Sequence, residues 1–148
     1  MKDKLFPPKK PINYYITIGQ ENGVFELVKN FYTVMESDPK TRECLLTHEL
    51  NEGKVIDETK KKFFMFLCGW FGGPNLFIEA YGSPRMRSRH LHIAISDTET
   101  QQWLSCMSKA LDMHSIKIKK YQKEMYMNSF KAIATRIRNT KETSEREA

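Results

Sequence analysis

The stretch FFMFLCGWFGGP, residues 63–74, decides how this chain folds. Five of its residues are aromatic, and the apolar side chains recur at helical spacing at Phe63, Leu67, Trp70 and Phe71, with Phe66 at the edge of that face. Gly72-Gly73-Pro74 ends the helix, because glycine tolerates a left-handed cap and proline cannot continue a helix. The sequence therefore predicts a short aromatic helix, which packs in a core by default and could also line a flat, apolar guest.

Length and composition indicate one folded domain. The chain has 148 residues, of which 40% are hydrophobic, and this is enough to bury a core. The formal net charge of +6 permits contact with nucleic acid or a membrane surface without requiring it. No apolar run approaches the roughly 20 residues that span a bilayer, and the first residues lack an apolar signal region, so we expect a cytoplasmic protein with no membrane partner.

The cysteines favour a reducing compartment. Cys44, Cys68 and Cys106 are odd in number and form no CxxC pair, so they indicate neither a disulfide framework nor a zinc site. Buried free thiols are the simplest interpretation.

Helical patterns account for most of the remaining domain. An apolar stripe predicts a helix over about 24–36, with Tyr32 at its edge. Ser96 and Glu99 form a capping box that opens a helix carrying Trp103, and a last helix covers roughly 117–139. We therefore predict an all-α protein.

Other segments give weaker signals. Alternation at 14–18 could indicate a strand, but no partner strand is evident, and 39–58 reads as polar and irregular. No strand ladder is expected. Residues 1–13 are predicted to be a mobile N-terminal arm, 14–139 the domain, and 140–148 a disordered charged tail.

The motifs of several common enzyme classes are absent, and His90 is the residue that most invites a chemical role. The chain holds no GxSxG, HExxH, Walker or GxGxxG motif. His90 could be a surface histidine, a nucleic-acid contact beside Arg85, Arg87 and Arg89, or a metal ligand. An aromatic wall followed by one histidine is what a haem pocket would need. His92 would face the same way as His90 only in an extended segment.

Four blocks, in matching order and spacing, resemble the group II truncated haemoglobins of bacteria. They are the helix that runs from Gly23 to Phe31-Tyr32, FLCGWFGGP at 66–74, YGSPRMRSRH at 81–90, and ETQQWLSCM at 99–107. The similarity covers about 14–139. It implies a truncated globin domain, which is a two-on-two helical sandwich around a b-type haem.

The resemblance also implies residue roles around the iron and the bound ligand. His90 would be the proximal iron ligand, and Tyr32 and Trp103 the distal hydrogen-bond donors. Thr59 would take the place of the distal histidine of larger globins. His48 would fall beside the bound ligand.

The remaining implied contacts are with the haem itself. The side chains that would pack on the distal face of the haem are Phe63, Phe66 and Leu67. The cations that would pair with its propionates are Lys62 and Arg89. Two departures from the family pattern lie near His90. Ser83 stands where the family commonly has histidine, and Leu91-His92-Ile93 replaces a sequence richer in proline and aromatic residues.

The resemblance implies a protein that reversibly binds oxygen and other diatomic ligands through ferrous iron, as a monomer or homodimer. A haem redox enzyme that detoxifies nitric oxide or acts like a peroxidase is the alternative, and it would need an electron donor or reductase. A haem-free helical module that binds nucleic acid is a third possibility. The spread of the basic residues over several segments disfavours it, so no nucleic-acid partner is expected.

Overall fold

A computed structural model of the chain describes residues 12–140, and these residues are mostly helical. The eight α-helices in this range are α1 (Tyr14–Ile18), α2 (Gln20–Ser37), α3 (Arg42–Leu45), α4 (Asp57–Trp70), α5 (Leu76–Tyr81), α6 (Met86–His90), α7 (Asp97–Asp112) and α8 (Lys120–Ile137). A 3-10 turn at Pro39–Thr41 precedes α3, and a hairpin of β1 (Leu50–Asn51) and β2 (Lys54–Val55) follows it. The predicted N-terminal arm and charged tail lie outside the described residues, apart from residues 12, 13 and 140.

Four long helices form the two-on-two sandwich, which confirms the predicted all-α class. Helix α2 packs on α4 and α7, and α7 packs on α8. One aromatic ring from each helix meets at the centre. The ring centroid of Phe31 lies 5.3 Å from that of Phe63 and 5.4 Å from that of Trp103, and Trp103 lies 5.9 Å from Phe130. These rings join the core to the lining of the cavity described below.

The aromatic helix α4 ends where its sequence predicts. The amide of Gly73 donates to the carbonyl of Cys68 at 2.8 Å, and Gly72 adopts a φ of +94°, which favours glycine. A Cβ at Gly73 would lie 2.6 Å from ring carbons of Tyr15, because α1 packs directly on this turn. The Gly72-Gly73 turn that ends α4 therefore also provides the surface on which α1 packs.

The strand that alternation could indicate at 14–18 is a helix in the structure. The side chain of Asn13 accepts a hydrogen bond from the amide of Ile16 at 3.0 Å, which caps the N-terminus of α1. Gly19, with a φ of +106°, ends α1 and leads directly into α2. The caps at both ends of this segment thus stabilise a helix, and no neighbouring strand was available to stabilise a strand.

The connections are more regular than predicted. Residues 39–58 hold α3 and an antiparallel hairpin, in which Leu50 pairs with Val55, so the expectation of no strand pairing is wrong at this one place. Glu52 and Gly53 both have positive φ, as a two-residue hairpin turn requires. Residues 75–90, for which no helix was predicted, contain α5 and α6. No helix within residues 12–140 combines the length and apolar character needed to cross a membrane.

Candidate functional site

A cavity of about 520 Å³ opens among α4, α6, α7 and α8 and the segment that follows α3. Its size is in the range of small-molecule sites, and its walls are mainly apolar. It gathers nine of the ten residues predicted for the site, namely Tyr32, His48, Thr59, Lys62, Phe63, Phe66, Arg89, His90 and Trp103. Sequence segments as far apart as α2 and α7 therefore converge on one cavity.

Leu67 is the predicted site residue that does not line this cavity. It is fully buried in the hydrophobic core. Neighbouring residues on a helix point about 100° apart. Phe66 faces the cavity, and Leu67 therefore faces the core.

His90 is the last residue of α6, and one of its two ring nitrogens makes a hydrogen bond while the other has no partner among residues 12–140. Its Nδ1 lies 2.5 Å from the carbonyl oxygen of Met86, so Nδ1–H donates to that carbonyl. This tautomer leaves a lone pair on Nε2, which can bind a metal, and the hydrogen bond fixes the ring orientation. A histidine four residues after its acceptor is the local arrangement that a helix provides.

Asn139 clamps the loop that follows His90. Its side-chain amide donates to the carbonyls of His90 at 2.9 Å and Ile93 at 2.8 Å, and its Oδ1 accepts from the amide of Ile95 at 3.0 Å. Its backbone amide also donates to the carbonyl of Ile95 at 3.0 Å. The end of α8 therefore holds the backbone of the histidine in place.

Tyr32 and Trp103 bring two polar hydrogens to a mainly apolar wall. Both residues are largely buried, and within residues 12–140 neither the Tyr32 hydroxyl nor the Trp103 indole N–H has a hydrogen-bond partner. Since no polar side-chain atom sealed from solvent lacks a partner there, both polar atoms border the open space of the cavity. Burial raises the pKa of the Tyr32 hydroxyl far above its ordinary value, so the group keeps its proton at neutral pH. Both groups can therefore donate to a guest in the cavity.

His48 lies beside Tyr32 as a neutral ring. Its Nδ1 lies 2.9 Å from the carbonyl of Cys44, and its ring meets that of Tyr32 edge-on at 5.9 Å. Burial lowers the pKa of His48, which favours the neutral form. With Nδ1–H donating to Cys44, Nε2 is an acceptor. Thr59 lines the cavity from the first turns of α4.

Two cations line the cavity, and both contact Tyr81. Lys62 pairs with Glu58 at 3.3 Å and lies 5.1 Å from the ring centroid of Tyr81. The Arg89 guanidinium donates from Nη2 to the carbonyls of Tyr81 and Ser83, each at 2.9 Å. The contact of Ser83 with Arg89 uses only the backbone carbonyl of Ser83, so a histidine at this position could make the same contact. The cavity therefore has a positively charged portion.

Sequence reasoning missed several lining residues. They are Cys44, Thr47, Glu49, Phe77, Pro84, Met86, His92, Ile93, Ile95, Glu99, Thr100, Ile133 and Ile137. Ile133 and Ile137 follow each other at helical spacing on α8, and such an apolar stripe by itself predicts only core packing. Phe77 lies on the unpredicted helix α5, so no signal placed it. His92 joins His90 at the cavity although the chain there turns and is not extended.

These features define a class of protein. Four long helices packed in pairs close a mainly apolar cavity. Its wall includes His90, whose Nε2 is free for a metal, two unpaired donors and a cationic portion. This is the arrangement of a globin that has been reduced to two helix pairs.

Comparison with known proteins identifies the family. Residues 13–139 match the model of the bacterial-like globin family. The chain is 35% identical over 98 residues to the group 2 truncated hemoglobin YjbI of Bacillus subtilis strain 168. The aligned segment covers 66% of this chain and 68% of that protein. The chain therefore belongs to the bacterial-like globin family, and the resemblance to group II truncated haemoglobins is confirmed. Membership implies haem binding.

Solved structures agree in fold. The group II 2-on-2 hemoglobin of Agrobacterium tumefaciens superimposes with a TM-score of 0.79 at 26% identity, covering 93% of this chain and 100% of that one. The truncated oxygen-avid haemoglobin of Bacillus subtilis superimposes with a TM-score of 0.70 at 29% identity, covering 86% of this chain and 100% of that one. The two-on-two sandwich predicted from sequence is thereby confirmed.

Proposed function

We propose that this protein holds a b-type haem and reversibly binds oxygen and other diatomic ligands at its ferrous iron. The observation that carries the proposal is the pair of unpaired donors, Tyr32 and Trp103, in the same apolar cavity as the free Nε2 of His90. The relation to an oxygen-avid haemoglobin of Bacillus subtilis supports it. The cytoplasmic location and the monomeric or dimeric state expected from sequence stay predictions.

The lining chemistry fits haem. No group of three or more His, Cys, Asp and Glu side chains among residues 12–140 could hold a metal ion, so the protein offers no closed metal site there. A single protein imidazole would be enough for a metal that arrives with its other ligands, as the iron of haem does. We assign His90 as the proximal ligand, Phe63 and Phe66 as packing residues, and Lys62 and Arg89 as partners of the propionates.

The chain's own residues would control ligand retention. Haem supplies a ferrous iron with one open position for a diatomic molecule. Tyr32 and Trp103 donate hydrogen bonds to a partly charged ligand in the cavity. Each such bond stabilises the bound form by about 1.5–3 kcal/mol, which is roughly ten- to a hundredfold in release rate. The neutral His48 lies against the ring of Tyr32 and orients it, Thr59 contributes a hydroxyl to the cavity, and the surrounding aromatic rings exclude water.

The proposal is tested by haem titration followed by stopped flow. We expect the purified protein to take up haem with a visible spectrum of a histidine-ligated iron, and His90→Gly to lose that spectrum. Trp103→Phe should speed oxygen release by about ten- to a hundredfold. The matched control is Trp70→Phe, because the Trp70 indole donates to Ser129 at 2.8 Å and does not line the cavity.

Two results would contradict the assignment. A haem spectrum that survives His90→Gly unchanged would remove His90 as the ligand. Equal oxygen release from the Trp103 variant and the parent would show that the indole does not hold the ligand. The redox alternative is separated by consumption of nitric oxide or peroxide in the presence of a reductant.

A further inference from the structure

A shallow hollow lies on the surface between α6 and α8, outside the haem cavity. We call it the arginine hollow. Its lining includes Arg85, Arg87, Leu91 and Arg136, together with Pro84 and Met86. The function proposed above gives this surface no role.

The arginine hollow carries uncompensated positive charge. Within residues 12–140, no carboxylate pairs with Arg85, Arg87 or Arg136. Neutral carbonyls orient two of the guanidinium groups instead. Arg87 donates to the carbonyl of Arg138 at 3.3 Å, and Arg136 donates to that of Ala132 at 2.9 Å. Three cations on one concave surface, two of them oriented, attract an anionic partner.

An apolar side chain accompanies these charges. Leu91, which follows the last residue of α6, is 57% exposed. An apolar anchor surrounded by charged groups is the common anatomy of a protein interface, and small interfaces of this kind suit transient encounters. The surface therefore favours a protein partner over a small anion.

Only a thin wall separates the arginine hollow from the haem cavity. Pro84 and Met86 line both. Arg87 and His90 also lie on the same five-residue helix. Electron tunnelling falls steeply with distance, so a redox partner seated in the hollow would be close to the cavity on the side of His90.

We propose that the arginine hollow docks an acidic electron-transfer protein that reduces the haem. This inference rests on the proposed function and names a partner for it. One electron leaves the reduced flavin or iron–sulfur centre of the partner, and ferric iron becomes ferrous. No bond forms or breaks, and no proton has to cross the wall of Pro84 and Met86.

The test measures reduction of the haem-loaded protein by a reduced acidic flavodoxin, without oxygen, in a stopped-flow instrument. Arg85→Glu and Arg87→Glu should each slow the second-order rate about tenfold at low ionic strength, and added salt should slow the parent. The matched control is Arg42→Glu, an exposed arginine at the start of α3 that lines neither the hollow nor the haem cavity. Reduction by dithionite should be equal in all four proteins.

A second measurement is independent of electron transfer. Oxidised flavodoxin added to the isotope-labelled protein should shift backbone amide signals of 85–91 and 135–136, and Leu91→Ala should weaken this binding. Signals that move elsewhere, or a rate that the Arg42 variant lowers as much as the hollow variants do, would overturn the docking site. Binding of duplex DNA to the hollow, with no shift from flavodoxin, would also overturn it.

The two proposals fail in different ways. Normal haem uptake and oxygen binding with an unchanged reduction rate in the hollow variants would overturn the docking site and leave the proposed function intact. A protein that takes up no haem would remove the proposed function and the electron-transfer role with it.

Discussion

Asn139 offers a sharp test of how the fold controls the proximal histidine. Asn139→Ala removes three side-chain hydrogen bonds, to His90, Ile93 and Ile95. Asn139→Asp is the matched variant, because a carboxylate retains the acceptor for Ile95 and loses both donors. It also places negative charge beside two carbonyl oxygens, so its effect should be at least as large as that of alanine.

The magnitude follows from the bonds that are lost. One net hydrogen bond stabilises a protein by about 0.5–1.5 kcal/mol, so three amount to about 1.5–4.5 kcal/mol. Asn139 is half-buried, and water can replace part of the loss. We therefore take about 2 kcal/mol, which is roughly 30-fold in an equilibrium or dissociation constant. Because the loop carries the backbone of His90, this loss should fall on haem retention.

The assay is transfer of haem from each variant to an excess of an apoprotein acceptor, followed in the visible spectrum. We expect haem loss to be about 30-fold faster in Asn139→Ala, and the iron–histidine stretching band to broaden or shift in the resonance Raman spectrum. Asn51→Ala, at an exposed position in the hairpin, should behave like the parent. A lower melting temperature with unchanged haem loss and an unchanged band would refute the reasoning, because it would show a purely structural role.

Three further predictions follow from local geometry. Gly23→Ala should destabilise by about 2 kcal/mol or more in urea unfolding, since its Cβ would lie 1.8 Å from the carbonyl oxygen of Ile18. Gly53→Ala should cost only the strain of its φ of +80°, about 1 kcal/mol, because its Cβ would meet no atom within 4 Å. Burial alone would raise the pKa of Glu26, but hydrogen bonds from Ser115, each 2.6 Å long, hold it below its ordinary value. A carboxyl with a lower pKa when folded stabilises above its unfolded pKa, so this contribution should be lost as the pH falls through the folded value, and Glu26→Gln should flatten the acid limb of stability. Tyr32→Phe should raise the melting temperature of the haem-free protein while speeding oxygen release from the haem-loaded one.

The parts of the fold that the sequence predicts are those fixed by local chemistry. The Gly-Gly-Pro stop ends α4 as expected, and the capping box at Ser96 forms with both reciprocal bonds present. Helices α5 and α6 have six and five residues, which is too short for a periodic stripe to emerge. The two-residue strands of the hairpin gave no pattern for the same reason.

The site was predictable only in part, because its arrangement depends on contacts between distant segments. Resemblance to a family selected nine residues that share the cavity, yet helical periodicity alone predicts only core packing for an aromatic residue such as Phe63. The hydrogen bond from His90 to Met86 follows from helical spacing once α6 is known. The clamp from Asn139 joins residues 49 positions apart, and no local pattern could reveal it.

Tyr32→Phe is expected to stabilise the haem-free protein and to weaken oxygen retention in the haem-loaded one, and both effects have the same cause. A hydroxyl on the wall of an apolar cavity, with no protein partner, destabilises a fold by up to about 1–3 kcal/mol, less whatever water in the cavity restores, and the indole N–H of Trp103 is in the same position. Phenylalanine would avoid this penalty at both positions, so packing alone does not explain these side chains. A ligand that accepts their hydrogen bonds returns the lost free energy and, by linkage, stabilises the folded state that binds it. Donors that weaken the haem-free protein and strengthen the liganded one are therefore the physical signature of a binding site, and a core tyrosine would change both states in the same direction.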